Sequence, residues 1–466
     1  MKVRVRWNTA SPFILFSLVT VTAASAQTFT TLVSFDGTNG ALPTYGTLVQ
    51  GSDGNFYGTT SAGGSEFFGT VFVITPQGHC TNLHTFHGHD GGVPEAGLIV
   101  APDGTFYGTT HSGGANGDGT IFQVTPHGTL TTLHSFSGAD GDSPDAGLVL
   151  AFNGMLYGTT GRGGANDQGT IFRTTLSGTV TVLDNMGSGF VPLVQATNGM
   201  LYGTTREGGG TIYTVTLDGA RTTLYSFCGQ GNCPDGSHPS GALVQGTDGN
   251  FYGTTEGGGA NDGRGGRHSE AGTVFRITPV GELTVLHSFD SADGSRPFGA
   301  LVQGTDGNFY GTTSRGGANC LPDGCGTIFQ ITPSGTLATL HSFDNTSTDG
   351  VYPYGGLVQG TDGDFYGTTF YGGSNGDGVV FRLSMGLGPF VKTLPAFGRA
   401  GRDVVILGSD LTGTTSVTFN GIAAAFSLLS PTAIKATVPS GATTGTVQVV
   451  MPGATLSSNV PFQALP

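Results

Sequence analysis

Lysine is almost missing from this chain. Only Lys2, Lys392 and Lys435 occur, so residues 3–391 contain none. That excludes a lysine nucleophile or Schiff base there, and it removes the basic surface on which binding to a phosphate backbone depends. Tryptophan is scarcer still: Trp7 is the only one, so downstream of it there is no Trp platform for a sugar or a quinone. Charged residues make up 10% of the chain, with 17 Lys and Arg against 31 Asp and Glu. The motifs of metalloproteases and nucleotide enzymes are also missing: there is no His-Glu-x-x-His and no P-loop.

Glycine is plentiful instead, with 84 residues in 466. Mid-helix Gly costs roughly 1 kcal/mol relative to Ala, so this is no helical protein. Hydrophobic residues still reach 36%, enough to argue against disorder. Gly-rich, aromatic and regularly punctuated sequence favours short strands joined by turns.

The N-terminus reads as a signal peptide over residues 1–26. Lys2, Arg4 and Arg6 precede an apolar run from Phe13 to Val21, and Ala24-Ser25-Ala26 forms a cleavage site. An uncleaved anchor is the alternative, although the run is short for a span of about 20 residues. Cleavage leaves a mature chain from Gln27 with a net charge of about −17, because residues 1–26 hold three basic residues and no acid. No other apolar stretch is long enough to span a membrane, so the expected protein is secreted or extracellular, with periplasmic or cell-surface retention left open.

A repeat organises the middle of the chain. Tyr-Gly-Thr-Thr starts at Tyr57, Tyr107, Tyr157, Tyr202, Tyr252, Tyr310 and Tyr366. Each copy sits in a unit of about 50 residues with four strand-like segments. The unit from Gly299 shows them as GALVQ (A), NFYGTT (B), GTIFQIT (C) and TLATLHSF (D). Asp-Gly or Asn-Gly joins A to B, as in Asp53-Gly54 and Asn153-Gly154, a strong hairpin signal. Four antiparallel strands at this period are propeller arithmetic. The order of segments adds a test. A D-like strand, Phe29 to Phe35, comes before the first A strand, and the last repeat ends on a C-like strand, Gly378 to Leu383. The expected fold is therefore all-β: a seven-bladed β-propeller over residues 27–384, closed by the N-terminal strand. An open solenoid is the alternative, but it does not explain the displaced strand.

The pattern G-x-L-V-x-x-x-D-G-x-F-Y-G-T-T-x-x-G-G, ending in G-T-I-F, resembles the GloVer (Gloeobacter–Verrucomicrobia) repeat of exported bacterial proteins. The resemblance covers about residues 29–385. It implies a β-rich architecture and export, and it implies no activity or catalytic residue.

After a linker at residues 385–388 the composition changes. Residues 389–466 hold short alternating strands separated by Gly, Asn-Gly and Ser-Pro turns, as an immunoglobulin-like β-sandwich would. Gly401 to Gly408, Val417-Thr418-Phe419-Asn420-Gly421 and Ala436-Thr437-Val438-Pro439 resemble an IPT/TIG domain. That resemblance implies an interaction or spacer module.

Candidate site residues come from the loops. In a propeller the D–A and B–C connections share one face, and here they are the long and variable set. The D–A loops carry Asp-Gly-x-x-Pro with Asp90, Asp140, Asp235, Asp293 and Asp349, and Asn39 as a variant. These residues read either as turn caps or as a carboxylate ring around the channel mouth. The B–C loops GGANGDG from Gly113 and GGSNGDG from Gly372 faintly resemble calcium loops. Calcium is thus the one ion considered, and no cofactor is required. The fifth B–C loop adds Arg264, Arg267, His268 and Glu270 beside a shortened fourth one, Arg206-Glu207-Gly208-Gly209, which suggests a groove. His84, His134, His287 and His341 recur on strand D, the outermost strand, and cannot converge on one ion. Cys228 with Cys233, and Cys320 with Cys325, read as local disulfides in an exported protein. A half zinc site is the other use of that spacing. Cys80, next to His79 in an expected turn, is left over.

These readings favour a non-enzymatic binding or scaffold protein, acting as a monomer on an extracellular protein or polysaccharide, with no nucleic-acid partner and no membrane span in the mature chain. The alternative is a polysaccharide-active hydrolase or lyase using acidic residues on the same face. N-terminal sequencing of the exported protein should begin at Gln27. A chain that keeps residues 1–26 would mark the leader as an anchor.

Overall fold

The computed structural model describes residues 27–185, 191–261 and 271–466. The leader at 1–26 lies outside them. The fold is all-β; among the described residues the only helical element is one 3-10 turn, Glu207–Gly209. No helix there is long and apolar enough to cross a membrane.

Each repeat folds into its own four-stranded antiparallel sheet with strands in chain order. In the sixth repeat these are Val302–Gln303, Phe309–Thr313, Thr327–Ile331 and Leu337–Ser342. Seven such sheets occur among the described residues. In the last, the N-terminal strand Thr28–Ser34 takes the D position and pairs antiparallel with Val379–Ser384. Chain start and chain end of the repeat region are thereby hydrogen-bonded to each other, and the outer edge of that C strand is covered. The fifth sheet has an extra short strand, Ser237–Pro239, on its lengthened B strand, Phe251–Gly257.

Two glycine positions explain the invariant parts of the repeat. In Tyr-Gly-Thr-Thr the glycine lies under the strand-C aromatic: a Cβ on Gly311 would sit 2.7 Å from both Phe329 Cζ and Leu301 Cδ2. The A strands are shorter than the sequence suggests, pairing over only two residues such as Val302–Gln303. The Gly-Ala part of GALVQ is used instead for close approach to the neighbouring repeat. A Cβ on Gly299 would meet Gly355 O at 2.7 Å, and one on Gly355 would meet Gly46 O at 2.9 Å.

Hydrophobic packing joins one sheet to the next. In most interfaces the Tyr of Tyr-Gly-Thr-Thr, the Ile or Val of strand C and the Phe ending strand D of one repeat meet the A-strand Leu and the B- and C-strand aromatics of the following repeat; the third strand D, Val180–Asn185, supplies no Phe, and Leu156 and Leu201 stand in the B position of the third and fourth repeats. Tyr252, Val274 and Phe289 meet Leu301, Phe309 and Phe329 in this way. Tyr252 stacks on Phe309 at 3.9 Å between centroids, and Tyr310 packs on Phe365 at 4.1 Å. The last repeat meets the first through the same code, since Tyr366, Val380 and Phe35 pack with Leu48, Phe56 and Phe72.

Polar groups anchor the loops. The repeated Asp of each D–A loop accepts a backbone N–H from the loop start and a second bond from its own strand D. Asp140 takes Ser137 N at 2.9 Å and His134 Nε2 at 2.7 Å. Asp90 pairs with His84, Asp293 with His287 and Asp349 with His341. In the fourth repeat Tyr225 replaces the histidine and donates to Asp235 at 2.8 Å. The repeated Asn of the B–C loops donates to strand-D carbonyls, as Asn116 does to Phe136 O and Asn375 to Phe35 O.

Residues beyond Gly388 form two further four-stranded sheets over one core. One sheet holds Lys392–Leu394, Asp403–Leu407, Ala433–Thr437 and Phe426–Ser430. The other holds Ile422–Ala423, Ser416–Phe419, Val447–Met451 and Ala454–Ser457. Val404, Ile406, Phe419, Ile434 and Val449 fill the space between them. This unit leans on the repeats: Thr432 Oγ1 donates to Ser52 O at 2.9 Å, Lys392 Nζ donates to Gln359 O, and the rings of Phe152 and Phe397 lie 4.9 Å apart.

Two predictions follow from this packing. Phe35→Ala removes a fully buried ring from the closing interface and should cost about 3–5 kcal/mol, read as a lower denaturant midpoint. The second concerns acid. Burial works to raise the Asp140 and Asp293 carboxyls, but hydrogen bonds from the loop N–H groups and from His134 and His287 outweigh it and hold both below the usual aspartate value. Their stabilisation is therefore complete above that value and lost as the pH falls below it. Melting temperature should drop steeply below about pH 4, and less steeply in the Asp140→Asn/Asp293→Asn double variant.

Candidate functional site

The inner edges of the sheets enclose a cavity of about 500 Å³. Tyr45, Glu95, Asp145, Val191, Ser240 and Phe298 bring one segment from each of six repeats to its wall. Five of these, with Tyr354 of the seventh repeat, share one register position: three residues before the A-strand leucine, at Leu48, Leu98, Leu148, Leu243, Leu301 and Leu357. The fourth repeat's equivalent lies outside the described residues. The position is set by the D–A loop and by the glycine contacts between neighbouring A strands. It is also variable, carrying Tyr, Glu, Asp, Ser, Phe and Tyr beside strands that repeat almost unchanged.

A second variable position follows Tyr-Gly-Thr-Thr and is occupied by Ser61, His111, Gly161, Arg206, Glu256, Ser314 and Phe370. Strand B ends beside the entry of the next A strand, so these residues meet the first set. His111 Nδ1 lies 2.6 Å from Asp145 Oδ1. Arg206 is paired with Glu256, and its guanidinium lies 5.6 Å from the centre of the Phe298 ring.

The two sets make a lopsided wall. One sector is acidic: Glu95, His111 and Asp145 place one ligand-type atom each within 4.8 Å of one another. Burial and the nearby Asp145 charge push the Glu95 carboxyl above the usual glutamate value. The bond to Asp145 raises the His111 imidazole against the opposing effect of burial. The other sector is aromatic. Tyr45 lies 5.6 Å from Tyr354 and 6.0 Å from Phe298, ring to ring, and Phe370 packs on Tyr354 at 5.4 Å. Burial, with Glu95 adding to it, pushes the Tyr45 hydroxyl up to about 12, so it stays a neutral donor. Carboxylates accept hydroxyl hydrogen bonds, the Arg206 guanidinium donates, and rings cover apolar faces.

The residues singled out from sequence lie elsewhere. Asp90, Asp140, Asp235, Asp293 and Asp349 are not brought together at this cavity; each is bound to strand D of its own sheet. The turn-capping alternative describes their contacts. Arg264, Arg267, His268 and Glu270 lie outside the described residues. Cys228 and Cys233 are bonded, as are Cys320 and Cys325. Cys80 is unpaired and half-buried, and it opens strand Cys80–Thr85 rather than sitting in the turn before it. Burial, with the Asp36 charge adding to it, pushes its thiol up to about 11. Glu95, Asp145, Tyr45, Phe298 and His111 were missed. Their signal was present as variation at a fixed register, but recurrence draws attention to what is constant.

Among curated proteins no significant match exists. Solved structures do resemble the chain. The extracellular domain of a hybrid two-component system from Bacteroides thetaiotaomicron aligns with a TM-score of 0.50 at 11% identity, covering 95% of this chain and 58% of that one. A protein of unknown function from the same species aligns at 0.42 and 14%, covering 77% and 76%. A protein named as a 6-phosphogluconolactonase, from Bacteroides uniformis, aligns at 0.43 and 15%, covering 67% and 87%. At these identities the first likeness bears on fold alone, and the other two carry no argument. Family models are more specific. The Gloeobacter/Verrucomicrobia repeat matches residues 15–208 and 190–426, and the IPT/TIG domain matches residues 390–464. The chain belongs to the Gloeobacter/Verrucomicrobia repeat family and ends in an IPT/TIG domain.

Proposed function

We propose that this is an exported, non-enzymatic binding protein whose ligand is an extracellular saccharide held in the cavity between the sheets. In this reading residues 27–384 are a seven-bladed β-propeller closed by the N-terminal strand. Residues 385–388 link it to an immunoglobulin-like sandwich at 389–466, which acts as a spacer or second contact. The two disulfide-bonded cysteine pairs fit an oxidising compartment.

One observation carries the reading: the acidic sector at Glu95 and Asp145 shares a cavity of about 500 Å³ with the aromatic sector at Tyr45 and Phe298. That size lies within the range of small-molecule sites. A sugar offers hydroxyls to the carboxylates and Arg206, and C–H faces to the rings. This wall varies while the strands that carry it repeat, as expected of specificity grafted on a fold.

A second reading keeps the same cavity for catalysis. Glu95 is raised and close to Asp145, and glycoside cleavage uses two neighbouring carboxyl groups. A glycan screen on the mature chain with product analysis separates the two: the binding reading expects retention of an unaltered oligosaccharide, and shortened or unsaturated products would overturn it. Phe298→Ala and Tyr354→Ala should each weaken retention about tenfold with melting temperature held. Unchanged affinity in both variants would move the ligand off this wall.

A further inference from the structure

We propose that Glu95, His111 and Asp145 form a binding site for one divalent transition-metal ion of the zinc or manganese type, on the wall of the cavity. The three residues come from separate segments: the entry to the second A strand, the end of the second B strand and the entry to the third A strand. The fold nevertheless brings one donor atom from each within 4.8 Å of the others.

The contacts leave this cluster incomplete without a cation. Asp145 is engaged by His111 at 2.6 Å, and its side chain is 8% exposed, so one carboxylate is matched by one imidazole. Glu95 is the surplus charge. It is half-buried, its carboxylate has no hydrogen-bond partner among the described residues, and the charges acting on it are Asp145 and His111. The nearby cation on the wall, Arg206, is already committed to Glu256. An unpartnered carboxylate on a partly buried wall is costly, and a divalent ion between it and Asp145 removes that cost.

The donor set selects the ion. Two carboxylate oxygens and one imidazole nitrogen suit zinc, manganese and their neighbours, whereas calcium takes oxygen ligands in larger number. Three protein ligands leave at least one coordination position open, and two of the three, Glu95 and Asp145, line the cavity. On binding, the imidazole nitrogen that becomes a ligand releases its proton to solvent, and the ion replaces the hydrogen bond between His111 and Asp145. The site is distinct from the Gly-Asp loops, where the repeated asparagines are tied to strand D. It does not depend on the saccharide reading, because the ion is held by protein atoms alone.

The test is calorimetric titration of tag-free mature protein, stripped with EDTA and dialysed, with zinc chloride and manganese chloride, and with calcium chloride in parallel. One ion should bind per chain, with zinc or manganese tighter than calcium. Glu95→Gln and His111→Ala should each weaken that binding roughly a hundredfold or more, while the perimeter variant His84→Ala leaves it unchanged. Melting curves identify any variant that fails to fold, and Glu95→Gln, which keeps size and removes charge, then decides the matter. Absence of a saturable one-to-one site overturns the proposal. So does binding that Glu95→Gln leaves intact, or calcium binding as tightly as zinc and manganese. No sugar is present in this titration, and the glycan screen can be run in EDTA, so either reading can fail alone.

Discussion

Everything in the repeat region depends on the wedge between one sheet and the next. A single four-stranded sheet of this size cannot bury its own hydrophobic face, and repeat units of this kind gain stability from their neighbours. Here the wedge has a nearly constant composition. A tyrosine from one repeat lies against an aromatic or leucine of the next, as Tyr57 does on Phe106, and a strand-D phenylalanine meets the strand-C ring, as Phe86 does on Phe122. Because Phe56 packs on Tyr366 and Thr28–Ser34 pairs with Val379–Ser384, the last sheet has the same partner as every other. That contact is the one place where chain ends, far apart in sequence, must meet.

The wedge also relieves the A-strand edge of the hydrophobic load. With the hydrophobic load carried between sheets, the A strands need only two paired residues each, and their glycines let backbones approach within a Cβ's reach. The residue ahead of each A strand therefore answers to no packing rule that the rest of the repeat imposes. That is why Tyr45, Glu95, Asp145, Ser240, Phe298 and Tyr354 can differ while Leu48 and its counterparts cannot. The outer strands show the opposite logic: the His84–Asp90 pair and its counterparts recur because they fasten each D–A loop to its sheet.

Much of the fold was legible in the sequence because it is written seven times. The Tyr-Gly-Thr-Thr string, the Asp-Gly turns and the displaced N-terminal strand each correspond to observed strands, turns and pairing. The short A strands were less legible, since GALVQ has the pattern of a strand and nothing local says that its glycines serve a neighbour. The site was the least legible part. Asp90 and its counterparts drew attention by recurring, and recurrence turned out to mark loop anchoring. His111 and Asp145 are 34 residues apart in different repeats, and only the stacking of one sheet on the next makes them neighbours. The IPT/TIG domain lay between these extremes, legible from Gly401 to Gly408 and from Val417 to Gly421, while its seating on Ser52 and Phe152 had no sequence signal.

The central claim is that the cavity at the A-strand entries is the binding surface. Hydrogen–deuterium exchange on the mature chain, with and without an oligosaccharide it retains, tests this most directly. The account predicts new protection at residues 45–48, 95–99, 145–148 and 298–300, with strand D and residues 389–466 unchanged. Protection confined to strand D, to the outer loops or to the C-terminal unit would contradict it.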